Sequence, residues 1–272
     1  MPWDSKHTEW LLDTGKTILT EEGIQVKVFE YQHQNDDDIL SSWARHFRNH
    51  YCLDTEIDDY REGYGCTREE FLKLIKFPDR KKVPGPSIRS GDFGELVVAD
   101  YLEYLCGYVV PRTRYGDKNI RNESTKGSDI IGFKILSGDE WSENDELAIF
   151  EAKAQFSGDK PNPRLQDAVD DSAKDILRKA ESLNAIKQRL RQQQDSQNVK
   201  IVTRFQNDVD RPHKTCFGAA ALFDNAVFDE NDIKKTKTAS HPYHANLTLV
   251  TIKGQDMMKL VHELYERAAN EA

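Results

Sequence analysis

Two acidic residues and a lysine are spaced so that their side chains can meet at one metal ion. Glu151 and Lys153 are separated by one residue within the apolar segment 147–156, and Asp129 stands at the end of a short polar turn. In a strand, Glu151 and Lys153 share one face, roughly 7 Å apart. Two carboxylates at such a point suit Mg²⁺, with Mn²⁺ as a substitute, because Mg²⁺ takes hard oxygen ligands. The set predicts a metal-dependent nuclease site.

Each residue of this set has a predicted role. A metal held by Asp129 and Glu151 can activate a bound water and neutralise charge on a scissile phosphate. Lys153, protonated near neutral pH, can orient that water or stabilise the added negative charge. Glu95, upstream in a predicted helix, can bind a second metal or a metal-bound water, and Gln155 is a candidate orienting group. We therefore predict Glu95, Asp129, Glu151, Lys153 and Gln155 as catalytic, the first three of them as metal ligands.

The triplet Glu151-Ala152-Lys153 is weak evidence by itself. Similar acidic-x-lysine triplets begin at Asp4, Asp79 and Asp232. Its context favours chemistry, because an apolar strand carries it and an aspartate precedes it at a turn-to-strand junction. The alternative is a surface ion pair between Glu151 and Lys153 on an edge strand.

A basic segment leads into the predicted site. It can track a phosphate backbone close to the metal, since phosphate contacts come from lysine and arginine. The alternative is a solvated loop. The predicted DNA-binding residues are Arg112, Arg114, Lys118, Arg121 and Lys126.

The elements that position these residues follow from hydrophobic spacing. Segments 128–133 and 147–156 are predicted as strands, and Ser90 is predicted to cap a helix that ends at Gly107. A long helix is predicted after Pro163, and its basic residues, Arg178 and Arg189 among them, indicate a solvated face. Further strands are predicted at 24–29, 108–110, 199–202, 217–223 and 247–252, and further helices at 39–50 and from 255 onward. This order predicts an α/β core with a mixed sheet.

Proline residues between 77 and 86 suggest a boundary in the chain. We predict a mixed α+β extension over residues 1–85, which is a candidate for partner contact, and a core over residues 86–272.

Composition excludes several classes of protein. Of the 272 residues, 38 are Lys or Arg and 47 are Asp or Glu, and the net charge of −9 argues against coating nucleic acid through overall basicity. The four cysteines form no Cys-x-x-Cys pair, and no Cys/His cluster suggests zinc. No segment has the roughly 18 apolar residues of a membrane span, and the N-terminus lacks a signal-peptide core, so we expect a cytoplasmic protein.

Three segments carry a resemblance to a known family. They are Gly91-Asp92-Phe93-Gly94-Glu95, Gly127-Ser128-Asp129-Ile130-Ile131-Gly132-Phe133 and Phe150-Glu151-Ala152-Lys153-Ala154. In them the chain resembles the HamA family, nuclease subunits of the Hachiman anti-phage defence system within the PD-(D/E)xK superfamily. The resemblance extends over most of the chain and is most specific from about residue 86 to 156.

The resemblance implies a restriction-endonuclease-like core whose central mixed sheet is flanked by helices. Asp129, Glu151 and Lys153 match the catalytic acid, acid and lysine, and Glu95 matches a helix glutamate; Ser128 stands where the superfamily motif has proline. A superfamily 2 helicase, HamB, is the implied partner in a heterodimer, and it would hold the DNA nuclease inactive until invading DNA is sensed. Two alternatives stay open: a non-catalytic adaptor of the helicase, and a nuclease directed at RNA.

Overall fold

The computed structural model describes residues 4–116, 118, 120–125, 127–136, 138 and 141–272, and a six-stranded mixed sheet forms its centre. The strand order is β1-β2-β6-β5-β4-β3. The four inner strands run parallel to one another, while β1 and β3 pair antiparallel at the two edges. The strands are β1 (Leu11–Leu19), β2 (Gln25–Tyr31), β3 (Ile130–Lys134), β4 (Glu146–Gln155), β5 (Lys214–Asp224) and β6 (Thr248–Gly254).

Helices cover both faces of the sheet, because the inner strands are apolar on both sides. One face packs against α1, α4 and α8, and the other against α5 and α6. The predicted α/β fold with a mixed sheet flanked by helices is confirmed. The helices are α1 (Asp37–Tyr51), α2 (Ile57–Glu62), α3 (Arg68–Phe71), α4 (Gly85–Asp100), α5 (Arg164–Gln192), α6 (Ser196–Arg204), α7 (Glu230–Lys234) and α8 (Met257–Asn270).

Strand β4 lies inside the sheet, between β3 and β5. Its residues alternate as expected: Phe150 and Ala152 join the core beneath α4, while Ile149 joins the core beneath α5. Glu151 continues the α5 side of the strand and is buried. Glu151 and Lys153 do form the ion pair of the alternative interpretation, but Glu151 is buried and β4 is not an edge strand.

Helix α4 approaches β4 closely because residue 94 is glycine. A Cβ atom at Gly94 would lie 3.2 Å from the Cβ of Ala154, which is tighter than an ordinary contact. This close approach brings the next residue, Glu95, to the sheet.

The first 85 residues contribute to the same sheet as the rest of the chain. Strand β2 pairs with β6 along six residues, and α1 packs against α8. The boundary near residue 85 coincides with the beginning of α4, and the division into extension and core stays a prediction.

Three predicted elements differ from the structure. Residues 199–202 were predicted as a strand but belong to α6, whose N-cap Asp195 accepts a hydrogen bond from the backbone of Asn198. A short apolar run has the same composition in either structure, so the capping residue was the better indicator. In the segment 108–110, only Val109 forms an isolated bridge, to Phe133.

The third difference concerns the beginning of α4. The helix begins at Gly85, with a proline in its first turn, and not at Ser90. It continues beyond Asp100 into one wide turn at Tyr101–Leu105.

Within the described part of the chain, no helix is both long and apolar enough to cross a membrane. The four cysteines are free thiols.

Candidate active site

Asp129 and Glu151 lie side by side at the junction of β3 and β4. Ile130 pairs with Phe150, so the residue before Ile130 lies opposite the residue after Phe150. Gly127 turns the chain into β3 with a φ of +96°, a conformation that favours glycine. The Oδ2 atom of Asp129 accepts a hydrogen bond from the backbone N–H of Ala152 at 3.1 Å. The structure thus brings the two predicted acids together, while their catalytic roles stay predictions.

Lys153 completes this group from the same strand. Its Nζ atom lies 2.6 Å from Oε1 of Glu151 and 2.8 Å from Oδ2 of Asp171 in α5. Burial lowers the pKa of Lys153, but the charge of Glu151 and the contact with Asp171 outweigh it and raise that pKa above its ordinary value. Lys153 is therefore a cation at neutral pH.

Glu151 is the most constrained acid of the site. Burial, followed by the charge of Asp129, raises its pKa to about 9, although Lys153 opposes the rise. Its second oxygen, Oε2, is buried and has no hydrogen-bond partner among the described residues. An acceptor in this state binds a proton or a cation in preference to remaining bare, because burial penalises an isolated charge.

Glu95 reaches the site through Arg114. The Nε atom of Arg114 lies 2.8 Å from the carboxylate of Glu95, where it forms an ion pair without the alignment of a hydrogen bond. Its Nη2 atom lies 2.7 Å from Oδ1 of Asp129. The Tyr115 hydroxyl donates a hydrogen bond to the same glutamate. Burial raises the pKa of Glu95 to about 8, with Arg114 opposing the rise and Asp129 adding to it. Glu95 is therefore linked to Asp129 by a protein cation.

Gln155 is engaged with a loop. Its amide nitrogen donates to the carbonyls of Ser157 and Lys160, and its amide oxygen accepts from the backbone of Asn162 at 2.8 Å. These bonds brace the loop between β4 and α5, and they leave the predicted orienting role without structural support.

The basic segment uses its charges inside the fold. Arg112 binds Asp100 at 2.8 Å and also Glu103. Lys118 binds Asp92 and Arg121 binds Asp79, each at 2.8 Å. With Arg114 bound to Glu95 and Asp129, all four described members of the predicted DNA-binding set have acidic partners; Lys126 lies outside the described residues. Asp92 and Asp100 are buried, whereas Asp79 is about a quarter exposed, and Arg112 and Arg114 also line the cleft beside Asp129. These ion pairs account for the charges within the fold, and the DNA-binding role of the set stays a prediction.

Other cations face the site. A cleft of about 1000 Å³ exposes Asp129, Glu151 and Lys153, and α5 contributes Arg178 and Arg189 to its wall. The sequence analysis assigned these two arginines to a solvated face. Their contribution to the cleft was missed because it depends on the rotation of α5 over the sheet, which helical periodicity alone does not fix.

The donor set at β3 and β4 suits a hard divalent cation. Asp129 and Glu151 supply carboxylate oxygens, and Oε2 of Glu151 is an acceptor without a partner in the described chain. Glu95 does not join them in one tight group of three ligands, since Arg114 binds both Glu95 and Asp129. Asp129 and Glu151 would therefore be the principal ligands.

A second cluster of potential ligands, which the sequence analysis missed, lies elsewhere in the fold. His7, His46 and Asp100 hold their ligand atoms within 4.8 Å of one another, and all three are buried. Both histidines contact Asp100 through Nε2, and Arg112 binds the same carboxylate. With an arginine already bound there, the cluster is a charge network of the core.

Comparison with known proteins agrees with the resemblance seen in the sequence. The HamA family profile matches residues 6–268, nearly the whole chain. No curated protein matches the chain significantly. From the extent of the profile match, the chain belongs to the HamA family.

Proposed function

We propose that this protein is a metal-dependent nuclease that cleaves DNA, and that it acts in Hachiman anti-phage defence. Membership of the HamA family supports the role in defence. The proposal for the chemistry depends on one observation: Asp129, Glu151 and Lys153 converge at a cleft, with one buried oxygen of Glu151 lacking a partner in the described chain.

Each site residue has a separate role in phosphodiester hydrolysis. A divalent cation bound by Asp129 and Glu151 would supply Lewis acidity and an activated water. The backbone N–H of Ala152 fixes the carboxylate of Asp129 in its orientation. Lys153, held by Glu151 and Asp171, carries a positive charge to the place where negative charge develops on phosphorus.

Arg114 sets a condition on this arrangement. The guanidinium of Arg114 forms an ion pair with Oδ1 of Asp129, so a metal ion that binds this oxygen must compete with the arginine. Lys153 binds Oε1 of Glu151, so it does not compete with a metal ion for the other oxygen, Oε2.

The net charge of −9 supports delivery of the substrate by a partner. Phosphate contacts dominate the affinity of proteins for DNA, and in a chain of net charge −9 the cations for them must be local, as Arg178 and Arg189 are at the cleft. We propose that a superfamily 2 helicase, HamB, brings DNA to the cleft and restrains the nuclease until then.

Plasmid degradation in Mg²⁺ tests the proposal. The purified chain is assayed alone and with its helicase partner and ATP, as the wild type and as Glu151→Gln and Lys153→Ala. Glu230→Gln is the matched control, because Glu230 is exposed and far from the cleft. We expect the two site variants to lose at least about 100-fold in rate, as for removal of one electrostatic group from an active site, and the control to retain it.

Two results would contradict the proposal. Equal cleavage by Glu151→Gln and wild type would place the chemistry elsewhere. Absence of cleavage by folded protein in every condition, with labelled RNA tested beside DNA, would favour a non-catalytic adaptor; cleavage of RNA alone would change the substrate class.

A further inference from the structure

One cation on the wall of the cleft has no acidic partner. Arg178, in α5, lines the same cleft as Asp129, Glu151 and Lys153, and its side chain is exposed. Its guanidinium forms no hydrogen bond or ion pair with the residues that the structure describes. The positive charge of Arg178 is therefore available to a ligand that enters the cleft.

Four other cations that line the cleft are already engaged. A phosphate that approaches one of them must compete with a carboxylate, whereas a phosphate that approaches Arg178 meets no such competitor within ion-pair distance. The engaged cations are Arg112, bound to Asp100 and Glu103; Arg114, bound to Glu95 and Asp129; Lys153, bound to Glu151 and Asp171; and Arg164, bound to Asp167.

The rotation of α5 over the sheet is fixed on both sides of Arg178. Two turns earlier, Asp171 binds Lys153 at 2.8 Å. One turn later, the Ser182 hydroxyl accepts a hydrogen bond from the backbone N–H of Ser128 at 3.2 Å. Residues that are three, four or seven positions apart share one face of a helix. Arg178 thus lies on the face that meets the site, about 10 Å along the helix axis from Asp171 and about 6 Å from Ser182.

The chemistry of arginine selects the ligand. A guanidinium stays charged at every physiological pH and donates two parallel hydrogen bonds to the oxygens of a phosphate. A DNA strand whose scissile phosphate lies at Asp129 and Glu151 continues past the walls of the cleft, one of which α5 forms. Phosphate contacts of this kind fix the position of DNA and carry no sequence information.

We propose that Arg178 binds a backbone phosphate of the DNA near the scissile one and holds the strand along α5. The inference rests on the proposed DNA-cleaving function and assigns a substrate-binding residue to it. Glu181 also lines this wall, but it forms no ion pair with Arg178. Arg178 is a residue that positions the substrate, and the metal ligands and Lys153 carry the chemistry.

The salt dependence of DNA binding tests the inference. Fluorescence anisotropy of a labelled duplex is measured in Mg²⁺ with the full chain carrying Glu151→Gln, which keeps the DNA intact. Arg178→Ala and Arg178→Lys are compared on that background, with duplexes of two unrelated sequences. Arg191→Ala is the matched control, because Arg191 is an exposed arginine of the same helix that does not line the cleft.

The expected changes follow from the loss of one phosphate contact. Arg178→Ala should weaken binding at least about ten-fold at about 50 mM salt, equally for both sequences. The slope of log K against log salt should become shallower by about one. Arg178→Lys should keep the slope, because it keeps the charge, and Arg191→Ala should change neither quantity. In the cleavage assay with the helicase partner, Arg178→Ala on the wild-type background should raise KM more than it lowers kcat.

The outcomes separate this inference from the proposed function. If the wild type cleaves DNA, and Arg178→Ala matches Arg191→Ala in affinity, salt slope and KM, only this inference fails. If the salt slope depends on Arg178 but the wild type cleaves nothing, the phosphate contact stands and the proposed chemistry fails. Because Arg178 is exposed, Arg178→Ala should unfold at the temperature of the wild type; a lower temperature with an unchanged salt slope would make Arg178 a structural residue and overturn the inference.

Discussion

Replacement of Arg112 by methionine should destabilise the protein strongly, although sequence analysis predicted Arg112 as a DNA contact. The side chains of Arg112 and Asp100 are each 3% exposed, and Nη2 lies 2.8 Å from Oδ1. Burial by itself raises the pKa of Asp100, but Arg112, His46 and His7 hold it well below its ordinary value. The carboxylate is therefore charged inside the core, and Arg112 is the permanent cation among its partners.

The expected magnitude follows from this burial. Loss of one partner from a buried ion pair leaves an uncompensated charge, which costs about 3–5 kcal/mol. In a chain of this size, that loss lowers the melting temperature by roughly 10 °C. The matched control is Arg68→Met, because Arg68 and Asp58 form an ion pair whose side chains are 32% and 51% exposed. An exposed pair contributes only about 0–1 kcal/mol.

Urea denaturation of both variants at pH 7, followed by tryptophan fluorescence, measures the difference. DNA affinity of the folded proteins is measured beside it, at fixed salt. If Arg112→Met unfolds at the same urea concentration as Arg68→Met but binds DNA more weakly than it, then Arg112 contacts phosphate and our assignment of the charge network is wrong.

Three further predictions concern the supports of the site and its acids. Gly94→Ala should destabilise the protein by about 1–3 kcal/mol, because the added methyl group overpacks against β4. Gly91→Ala is the control and should stabilise α4 by about 0.5–1 kcal/mol, since nothing lies within 4 Å of its added Cβ. Chemical denaturation that shows the same sign of change for both variants would refute the close approach of α4 to β4. Gln155→Ala should increase hydrogen exchange in residues 157–162, because three hydrogen bonds to that loop are lost; unchanged exchange would contradict the bracing role. In EDTA, the free energy of unfolding should fall as pH rises from about 4.5 and should level off above about 8 to 9. The pKa values of Glu95 and Glu151 are raised in the fold to about 8 and about 9 from an ordinary 4.5. Their contribution is complete below pH 4.5 and is lost above those folded pKa values; an equally steep fall in the Glu95→Gln/Glu151→Gln protein would show that other groups cause it.

The central part of the site could be predicted from sequence because it depends on a local rule. Residues two apart in a strand share a face, so the pair Glu151 and Lys153 followed from spacing alone. The proximity of Asp129 followed from a glycine turn that leads into a neighbouring strand. Both inferences need only short segments of chain.

The parts that sequence analysis missed depend on contacts between distant segments. The pairing of Arg112 with Asp100, or of Lys153 with Asp171, is set by how helices pack on the sheet, and no local pattern encodes it. The same limit explains why β2, near the N-terminus, was not expected beside β6, near the C-terminus. Basic residues in a segment therefore predict a charged region, but not whether the charges face a ligand or the interior.

The charges around the cleft bear on the proposed metal site. Three protein cations are bound directly to the carboxylates there. Arg114 binds Glu95 and Asp129, and Lys153 binds Glu151 and Asp171. Lys174 also binds Asp171. The acidic groups joined by these cations are Glu95, Asp129, Glu151 and Asp171. These three cations are fewer than the four carboxylates that they join, and burial together with the charge of Asp129 raises the pKa values of Glu95 and Glu151. Since a divalent ion competes with protons for buried carboxyl groups, the affinity of the proposed metal site should rise with pH.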